Sequence, residues 1–461
     1  MEHDDRPTRN QATEGLDGFP VLRHDVAGMD VGSEQHWVCA PAREGTAREV
    51  AVFAATTPAV HQLIAWLQDR GVRSVALEST GVYWIVPHEM LEAAGFEVVL
   101  ADTRALGRVP GRPKTDRRDC EWIQRLHACG LLRGAFRPSE PVCILRTLMR
   151  DKGTLVAERA DWLRRMQKSL DQMNVRVHRA VSDLDGVTGM AILRAIAAGE
   201  RDPHRLAALR HRRCQHSEAE IAAQLTGHWR ADYVFSLQQA LHLYDAITTR
   251  LAAYDQEIQR QLAQMTPAER RDVDAPPPSK ATKAKAMKTR GADPLRHALY
   301  RVSGVDLTSI DALGVDTVSI VLSEYGADLS RFPTEKHFVA HMRLAPYKPI
   351  SGGKVVKNRK KPGSASARVG AALRMAALAA RRSQTALGAY YRRLAQRCGA
   401  DVAVFATARK LAQYIYRLLR WGQPYVDEGV AAYERRYQEA RVKRIAASAQ
   451  QLGYALVSVN V

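Results

Sequence analysis

The chain has 461 residues, and its 68 Lys and Arg against 49 Asp and Glu give it a formal net charge of +19. This length predicts two or three domains, and the clustering of the charge points to a polyanionic partner, most often nucleic acid, rather than to a merely soluble basic protein. The sequence contains no apolar run long enough to span a bilayer, no signal peptide, and no zinc-site spacing among its six cysteines. We therefore expect a cytoplasmic protein with reduced thiols and no membrane partner.

The N-terminal third alternates strand and helix signals. After a polar stretch over 1–22, predicted to be a flexible tail, three apolar segments joined by tight turns predict antiparallel strands that end at Met29, at Cys39 and within REVAVFAAT. A helix capped by Thr57, with Pro58 in its first turn, leads to a buried strand that ends at Glu78.

A second helix, stopped by Gly95, a fifth strand over FEVVLAD and a third helix capped by Thr115 follow. The order βββαβαβα predicts an α/β domain in which parallel strands extend three antiparallel ones and helices pack on the sheet.

Four carboxylates fall at the ends of these elements. Asp30 ends the first strand and Glu78 ends the fourth, while Asp116 and Asp119 begin the third helix on one face, because they are three residues apart. If the first and fourth strands are neighbours and the helix packs beside their ends, all four converge. Each acid alone is more often structural, since turns and helix N-termini favour Asp and Glu, so the indication lies in the set of four.

Clustered carboxylates repel one another, and a divalent cation removes that repulsion. Oxygen-only ligands suit Mg²⁺ or Mn²⁺, ions that activate nucleophiles and stabilise leaving oxygens on phosphate. Bases in the same stretch would hold the phosphates of a nucleic acid; they are Arg108, Arg112, Lys114 and Arg117. The sequence thus predicts a metal held by the acids and DNA or RNA held by the bases.

The segments GMDVGS, LESTGVYW and KTDRRD resemble the signatures of DEDD insertion-sequence transposases. The resemblance implies a RuvC-like domain with the RNase H fold, and it implies that Asp30, Glu78, Asp116 and Asp119 form the catalytic and metal-binding tetrad. Where the family commonly has Ala after the last Asp, this chain has Cys120. A structured bridge RNA guides this family, so the implied partners are a guide RNA, donor DNA and target DNA.

The middle of the chain is predicted to be helical. From Cys143 to about Val177, apolar residues keep the three-and-four spacing of a coiled coil or a long helical hairpin, which either dimerises or packs within the chain. The resemblance favours an oligomer, a dimer or a tetramer. Residues 182–265 read as largely helical with a basic patch, RLAALRHRRCQH, and we expect their aromatic side chains to lie in the core rather than to stack on bases: Trp229, Tyr233, Phe235 and Tyr244.

A Pro-rich and then Lys-rich stretch over 266–296 is predicted to be a linker, either a solvated tether or a phosphate contact. Beyond it, IDALGVDTVSIVLSEYG predicts a helix, a Gly turn and a helix, which either presents N–H groups to a DNA phosphate or is a plain helical turn. A further helix over RFPTEKHFVAHMRLAP stops before Pro346.

A second candidate site follows this helix. Ser351 precedes two glycines, whose backbone freedom would let the turn expose the hydroxyl. Bases predicted to bind nucleic acid follow at Lys354, Lys357, Arg359, Lys360 and Lys361. Gly-rich turns with Ser are mostly structural, and Ser364 and Ser366 lie in an equally basic loop. The same transposase family has SGG after L-x-P, and this resemblance implies that Ser351 is the nucleophile on DNA phosphate.

The resemblance extends from about Gly28 to Tyr425, and it implies RNA-guided cleavage and rejoining of donor and target DNA. Ser351 and the tetrad lie in separate predicted domains, so they would meet by folding back or across subunits. Two alternatives remain, a junction-resolving RNase H-fold nuclease that needs no Ser351 and a non-catalytic nucleic-acid-binding scaffold. The predicted parts are a tail (1–22), the RuvC-like domain (23–142), a helical coiled-coil region (143–265), a linker (266–296), a mostly helical C-terminal domain with the serine (297–429) and a helical tail (430–461).

Overall fold

The computed structural model describes residues 19–44, 47–79, 81–101, 115–132, 134–265, 292–345, 350–351, 354–355, 365–422 and 429–457. The chain divides into two compact units, Met1–Arg137 and Pro138–Val461. The finer division into a coiled-coil region, a linker and a C-terminal domain stays a prediction.

The first unit is built on a five-stranded sheet. Its elements are β1 Val26–Val31, β2 Gln35–Pro41, β3 Arg48–Ala54, α1 Thr57–Asp69, β4 Ser74–Glu78, α2 Ile85–Ala93, β5 Glu97–Ala101 and α3 Asp116–Ala128. The strand order is β3-β2-β1-β4-β5, with β1 antiparallel to β2, β2 antiparallel to β3, and β4 parallel to both β1 and β5. The predicted element order and the pairing of the first and fourth strands are confirmed.

The central strand β1 separates two helical layers. Its residues Ala27, Met29 and Val31 pack in one apolar cluster with side chains of α1 and α2. Side chains alternate along a strand, so Gly28 lies on the opposite face, where an added Cβ would lie 2.5 Å from the backbone oxygen of Cys120 in α3. The sheet is therefore covered on both faces, with α3 alone on the side of Gly28 among the helices described in this unit.

Helix α1 begins one residue earlier than predicted. Thr56 occupies the N-cap position, and Thr57 is the first helical residue. The backbone of Thr56 is extended (φ −118°, ψ 149°), which places this residue outside the helix. Pro58 therefore lies in the first turn, as predicted. Gly71 and Gly95, which follow α1 and α2, have positive φ angles of 66° and 89° that glycine adopts without steric cost.

The second unit is helical except for a two-stranded hairpin, in the part of the chain that the structure describes. Its elements are α4 Glu140–Gln172, α5 Val177–Ala180, α6 Val187–Ala197, α7 Pro203–Ala208, α8 Glu218–Leu225, α9 Ala231–Gln264, α10 Ala292–Ser303, α11 Val315–Tyr325, α12 Glu335–His341, β6 Ile350–Ser351, β7 Lys354–Val355, α13 Ala365–Ala380, α14 Ala386–Cys398, α15 Ala400–Trp421 and α16 Gly429–Gln451. A sheet domain followed by a mostly helical chain confirms the predicted fold class.

Helices α4 and α9 form a long antiparallel hairpin. Lys152 pairs with Asp255. About two turns further along α4, the Arg159 guanidinium lies over the ring of Tyr244. Advancing along α4 thus moves backwards along α9, so the apolar stripe of α4 packs within the chain. The expectation that this helix reaches Val177 is wrong, because Asn174 adopts a left-handed conformation (φ 57°) that ends it.

A helical cluster at one end of this hairpin has its own apolar core. Buried side chains from α5 to α8 pack against the end of α4 and the beginning of α9, where Leu237, Leu241 and Tyr244 are buried. The prediction that Tyr244 lies in the core is confirmed, and Trp229 and Tyr233 pack partly buried against it. The same prediction is wrong for Phe235, which is 61% exposed. Phe235 is two residues before Leu237 and therefore about 200° around the helix from the buried stripe.

The region around the predicted helix–turn–helix differs from expectation. No helix covers IDAL in the described chain; Leu307–Ser309 form a 3₁₀ turn, and Ala312 has a φ of 67° that breaks helical continuity. The first helix of the pair is instead α10, whose start at Ala292 lies within the predicted linker, most of which (266–291) is outside the described residues. The Asp306 side chain accepts from the Thr308 backbone N–H at 3.1 Å and pairs with the buried Arg296, so the connection is fixed locally.

None of the described helices combines the length and the apolar composition needed to cross a bilayer.

Candidate active site

Asp30 and Glu78 lie at the carboxyl ends of neighbouring parallel strands. Gly28 of β1 is opposite Ala76 of β4, and Met29 is opposite Leu77. Extending this register by one residue places the Cα of Asp30 beside the Cα of Glu78, at the spacing of about 5 Å that paired strands have. Because side chains alternate, both carboxylates share the face of Gly28 and Ala76, which is the face that α3 covers.

The direction of α3 brings its first turn to the same edge. Near its end, His127 Nε2 lies 2.8 Å from Ser74 Oγ, at the beginning of β4. Near its start, the Cys120 carbonyl lies against Gly28, two residues before Asp30. The helix therefore runs opposite to β1 and β4. Asp116 and Asp119, in its first turn, lie towards the strand ends that carry Asp30 and Glu78.

The start of α3 is fixed by its N-cap. The Thr115 side chain accepts from the Arg118 backbone N–H at 3.4 Å, as the sequence predicts. Asp116 is exposed at the helix start, whereas Asp119 is half-buried. Negative side chains in a first turn interact favourably with the helix dipole, so the fold itself stabilises both aspartates there.

Cys120, which directly follows Asp119, has a thiol whose pKa is changed by its surroundings. Its side chain is fully buried, and burial is the main reason that the pKa of the thiol is raised, with smaller contributions from Cys39, Glu121 and Asp30. Burial likewise raises the pKa of the Cys39 thiol to about 12. Both cysteines therefore stay protonated at neutral pH and pack as small apolar residues.

The acids fit a metal by chemistry and by position, but their side chains are not arranged as ligands. All four are carboxylates, the donor set that hard divalent cations prefer. Within the described residues, however, no three His, Cys, Asp or Glu side chains form a group that could hold a metal ion. The fold thus brings the four positions to one edge of one sheet face, while the described side chains do not form a metal-binding group there.

Of the predicted nucleic-acid-binding residues near the acids, Arg117 is described. It is exposed in the first turn of α3, and its Nε lies 3.3 Å from Glu121 Oε1. Three others lie outside the described residues: Arg108, Arg112 and Lys114.

Ser351 ends a short strand in the second unit. Ile350 is opposite Val355 and Ser351 is opposite Lys354, so only two residues connect β6 to β7. A two-residue connection of antiparallel strands is a tight hairpin, for which a Gly-Gly pair is suited. Gly352 and Gly353 lie outside the described residues, as do the predicted bases Lys357, Arg359, Lys360 and Lys361 and also Ser364. The expectation that Ser366 lies in a loop is wrong, because it is in the first turn of α13.

Two family models match the chain. A model of DEDD transposases of the IS110 type, described as "Transposase", matches residues 27–175, and a model described as "Transposase IS116/IS110/IS902 family" matches residues 304–392. The chain belongs to the IS110 family of DEDD transposases. The first match contains all four acids, and the second contains Ser351. No curated protein matches the chain.

This transposase is therefore an enzyme of DNA recombination. Transposase domains of the DEDD type generally use divalent metal ions, which agrees with the all-carboxylate character of the four positions. DNA is accordingly the partner that the family supports.

Two polar residues that support the site were not identified from the sequence of the transposase. Gln124 is buried in α3, where its Nε2 donates to the Val26 carbonyl at 3.3 Å and its Oε1 accepts from Arg48 at 3.4 Å. His127, also buried, meets Ser74 on the same helix face. The sequence pattern that could have identified them is the occurrence of polar residues on the same face of α3 as Cys120. Both hold α3 against the sheet and so position Asp116 and Asp119.

Proposed function

We propose that this transposase exchanges strands between donor and target DNA, with Ser351 as the nucleophile and with the four acids as its metal-binding group. The observation that carries the proposal is the register of β1 and β4, which brings Asp30 beside Glu78 on the face covered by α3. The two family matches support it, because one spans the acids and the other spans the serine.

The acids have a defined role in this proposal. Asp30, Glu78, Asp116 and Asp119 would hold Mg²⁺ or Mn²⁺, which when bound offsets the negative charge that develops on the phosphate under attack. Buried Gln124 and His127 keep α3 in place on the sheet, so the two helical aspartates stay at the strand ends. Arg117 and the bases around Lys114 would hold the phosphodiester backbone next to them.

The serine has the covalent role. The Ser351 Oγ attacks phosphorus, an O–P bond to the serine forms, and the bond from phosphorus to one sugar oxygen breaks. The serine proton is released to solvent and the departing sugar oxygen takes up a proton. A sugar hydroxyl of the second DNA strand then attacks the same phosphorus: its O–P bond forms, the bond from phosphorus to the serine breaks, the hydroxyl proton is released and the serine oxygen takes one up. One phosphodiester replaces another without an external energy source, because the phosphoserine link conserves the bond.

The partners complete the proposal. Guide RNA would pair with donor and target DNA and supply sequence specificity, while the protein would contact shape and backbone. Lys354, which is opposite Ser351 in the hairpin, and the bases that follow it would contact phosphates. A dimer or a tetramer would provide one Ser351 for each of the two reacting DNA strands. The net charge of +19 supports binding of this much polyanion.

A covalent adduct tests the central step. The protein is incubated with DNA carrying its element ends, the RNA transcribed beside the element, and Mg²⁺. Denaturing electrophoresis then resolves any protein–DNA adduct. We expect an adduct with the native protein and none with Ser351→Ala. Ser364→Ala, in the basic stretch before α13, and Ser366→Ala, in the first turn of α13, are matched controls and should form the adduct normally.

The other outcomes separate the alternatives. Cleaved DNA without an adduct, equal in the native protein and in Ser351→Ala, would indicate a hydrolytic nuclease of the RNase H fold. An adduct that disappears in Ser364→Ala or Ser366→Ala, and persists in Ser351→Ala, would move the nucleophile to that residue. An adduct formed without the RNA would remove the guided step from the proposal.

A further inference from the structure

The helical cluster of the second unit contains an open cavity of about 450 Å³ that the strand-exchange proposal does not use. Six residues line it: Arg201, Trp229, Ala231, Val234, Phe235 and Gln238. A volume of this size is within the range of small-ligand sites.

One wall of the cavity is aromatic. Four lining residues, Ala231, Val234, Phe235 and Gln238, follow the spacing of one helix face over the first two turns of α9. Phe235 is 61% exposed there, whereas Trp229 is half-buried against the cluster core. A large aromatic ring that stays exposed beside a cavity offers a flat surface for stacking.

A second wall of the cavity carries the positive charge of Arg201. The Arg201 guanidinium lies over the Trp229 ring, 4.7 Å from its centroid. Its Nη1 donates to the carbonyls of Ile196 and Glu200, each at 2.7 Å, which fixes its position. The neighbouring carboxylates of Glu200 and Asp202 lie 3.6 and 3.8 Å from Arg205, and among the described residues no ion pair joins either of them to Arg201. The Arg201 guanidinium can therefore attract a ligand with negative charge.

The cavity is built in advance of any ligand. Gln238 Nε2 donates to the Ala197 carbonyl at 2.7 Å, which joins α9 to the end of α6. Arg194 and Asp245 join the same two helices through two hydrogen bonds of 2.6 Å each. These bonds fix the two walls, so binding needs little ordering of the protein.

We propose that this cavity binds an unpaired nucleotide of a single-stranded nucleic acid. The base would stack on Phe235, and its phosphate would lie towards Arg201. An acidic peptide would satisfy the charge but would offer no flat ring to Phe235, so a nucleotide fits both walls better. Exposed Arg212 and Arg213, on the same helical cluster, would attract the neighbouring phosphates.

This inference goes beyond strand exchange and does not rest on it, because the cavity shares no residue with the acids or with Ser351. Its failure would leave the adduct experiment unaffected.

Photocrosslinking with site mapping tests the proposal on the full-length protein. Short single-stranded oligonucleotides that contain 5-iodouridine or 5-iododeoxyuridine are irradiated with the protein, and the crosslinked peptides are identified by mass spectrometry. We expect crosslinks to Trp229. Their yield should fall about fivefold or more in Phe235→Ala, since loss of one stacking ring weakens base binding by at least that factor.

Two controls make the result specific. Phe235→Tyr keeps the ring and should keep the Trp229 crosslink. Leu243→Ala removes another exposed apolar side chain from the same helix, 42% exposed against 61% for Phe235, and should also keep it. Crosslinking by the RNA probe, by the DNA probe or by both supports the proposal and identifies the strand type. An absent Trp229 crosslink, an unchanged yield in Phe235→Ala, or an equal yield with duplex probes would overturn it.

Discussion

Gly28 of β1 lies so close to Gln124 of α3 that a Cβ on the glycine would be 2.1 Å from the Gln124 backbone nitrogen. The obstacle is backbone, which cannot move aside as a flexible side chain would. A strand and a helix approach this closely only where the strand residue lacks a side chain. The contact fixes the height of α3 on the sheet, and with it the distance from the first turn of α3 to Asp30.

Gly28→Ala is therefore expected to destabilise the first unit strongly. The added methyl group must push α3 away from β1, and overpacking of this kind costs about 1–3 kcal/mol, with the upper end expected where the obstacle is backbone. Chemical denaturation followed by circular dichroism measures the loss. Gly314→Ala is a suitable control, because a Cβ there meets nothing within 4 Å. Equal stability of the two variants would contradict the close approach.

The buried contact between His127 and Ser74 predicts a pH dependence. Burial, with a smaller contribution from Arg23, lowers the pKa of His127 from 6.5 to about 4. The unfolded chain therefore binds a proton more readily than the folded one between these values. The contribution to stability is present above pH 6.5 and is lost as the pH falls towards 4, in total roughly 3 kcal/mol.

His127→Gln should reduce this acid sensitivity, because glutamine can bond Ser74 and does not titrate. The measurement is the difference in unfolding free energy between native protein and variant, taken from denaturant titrations at several pH values. His61→Gln, at an exposed position of α1, should leave the pH dependence as it is. A native protein that loses no more stability than His127→Gln between pH 6.5 and 4 would contradict the prediction.

The sheet and the positions of the acids could be predicted because they depend on local signals. Apolar alternation and tight turns specify the strands, and a parallel crossover places the strand ending at Glu78 beside the strand ending at Asp30. Thr115 capped α3 as its sequence predicts. The strands and the helix cap are each determined within a few residues of the chain, whereas the pairing of β1 with β4 follows from the general rules of strand connection.

Other features depend on contacts that the sequence does not reveal. Asn174 and Ala312 interrupt helical patterns by adopting left-handed backbone conformations, although neither is a glycine. Phe235 is exposed because of which face of α9 the helical cluster covers, and periodicity alone does not specify that face. The side-chain conformations of the four acids depend on their surroundings, so their positions along the chain were predictable and their side-chain arrangement was not.

Glu78→Gln tests the metal-binding part of the proposed function. The amide keeps the size of the side chain and removes one negative charge from the site, so we expect at least about tenfold weaker Mn²⁺ binding. Electron paramagnetic resonance of free Mn²⁺ measures binding directly, without DNA or turnover. Asp69→Asn removes a charge from the surface of the same unit, at the end of α1, and should bind Mn²⁺ as the native protein does. Equal affinity in all three proteins would remove Glu78 from the metal site.

Glu324 is a position in the second unit where we expect the loss of a single charge to lower stability strongly. Its carboxylate is 1% exposed on α11 and receives Arg150 through bonds of 2.9 and 2.8 Å, while Arg146 Nε lies 3.1 Å away. Arg146 also donates to the Glu324 carbonyl at 2.5 Å. One residue thus attaches α11 to two successive turns of the long helix α4.

Glu324→Ala would leave the partly buried Arg146 without its carboxylate partner, and breaking a buried pair in this way costs up to about 3–5 kcal/mol. Asp245→Ala also breaks a two-bond contact with an arginine, Arg194, but that pair is exposed to solvent and should cost no more than about 1 kcal/mol. Denaturant titration of the two variants compares them directly. A Glu324→Ala loss as small as that of Asp245→Ala would mean that the apolar contacts of α4 and α11, rather than this ion pair, hold the two helices together.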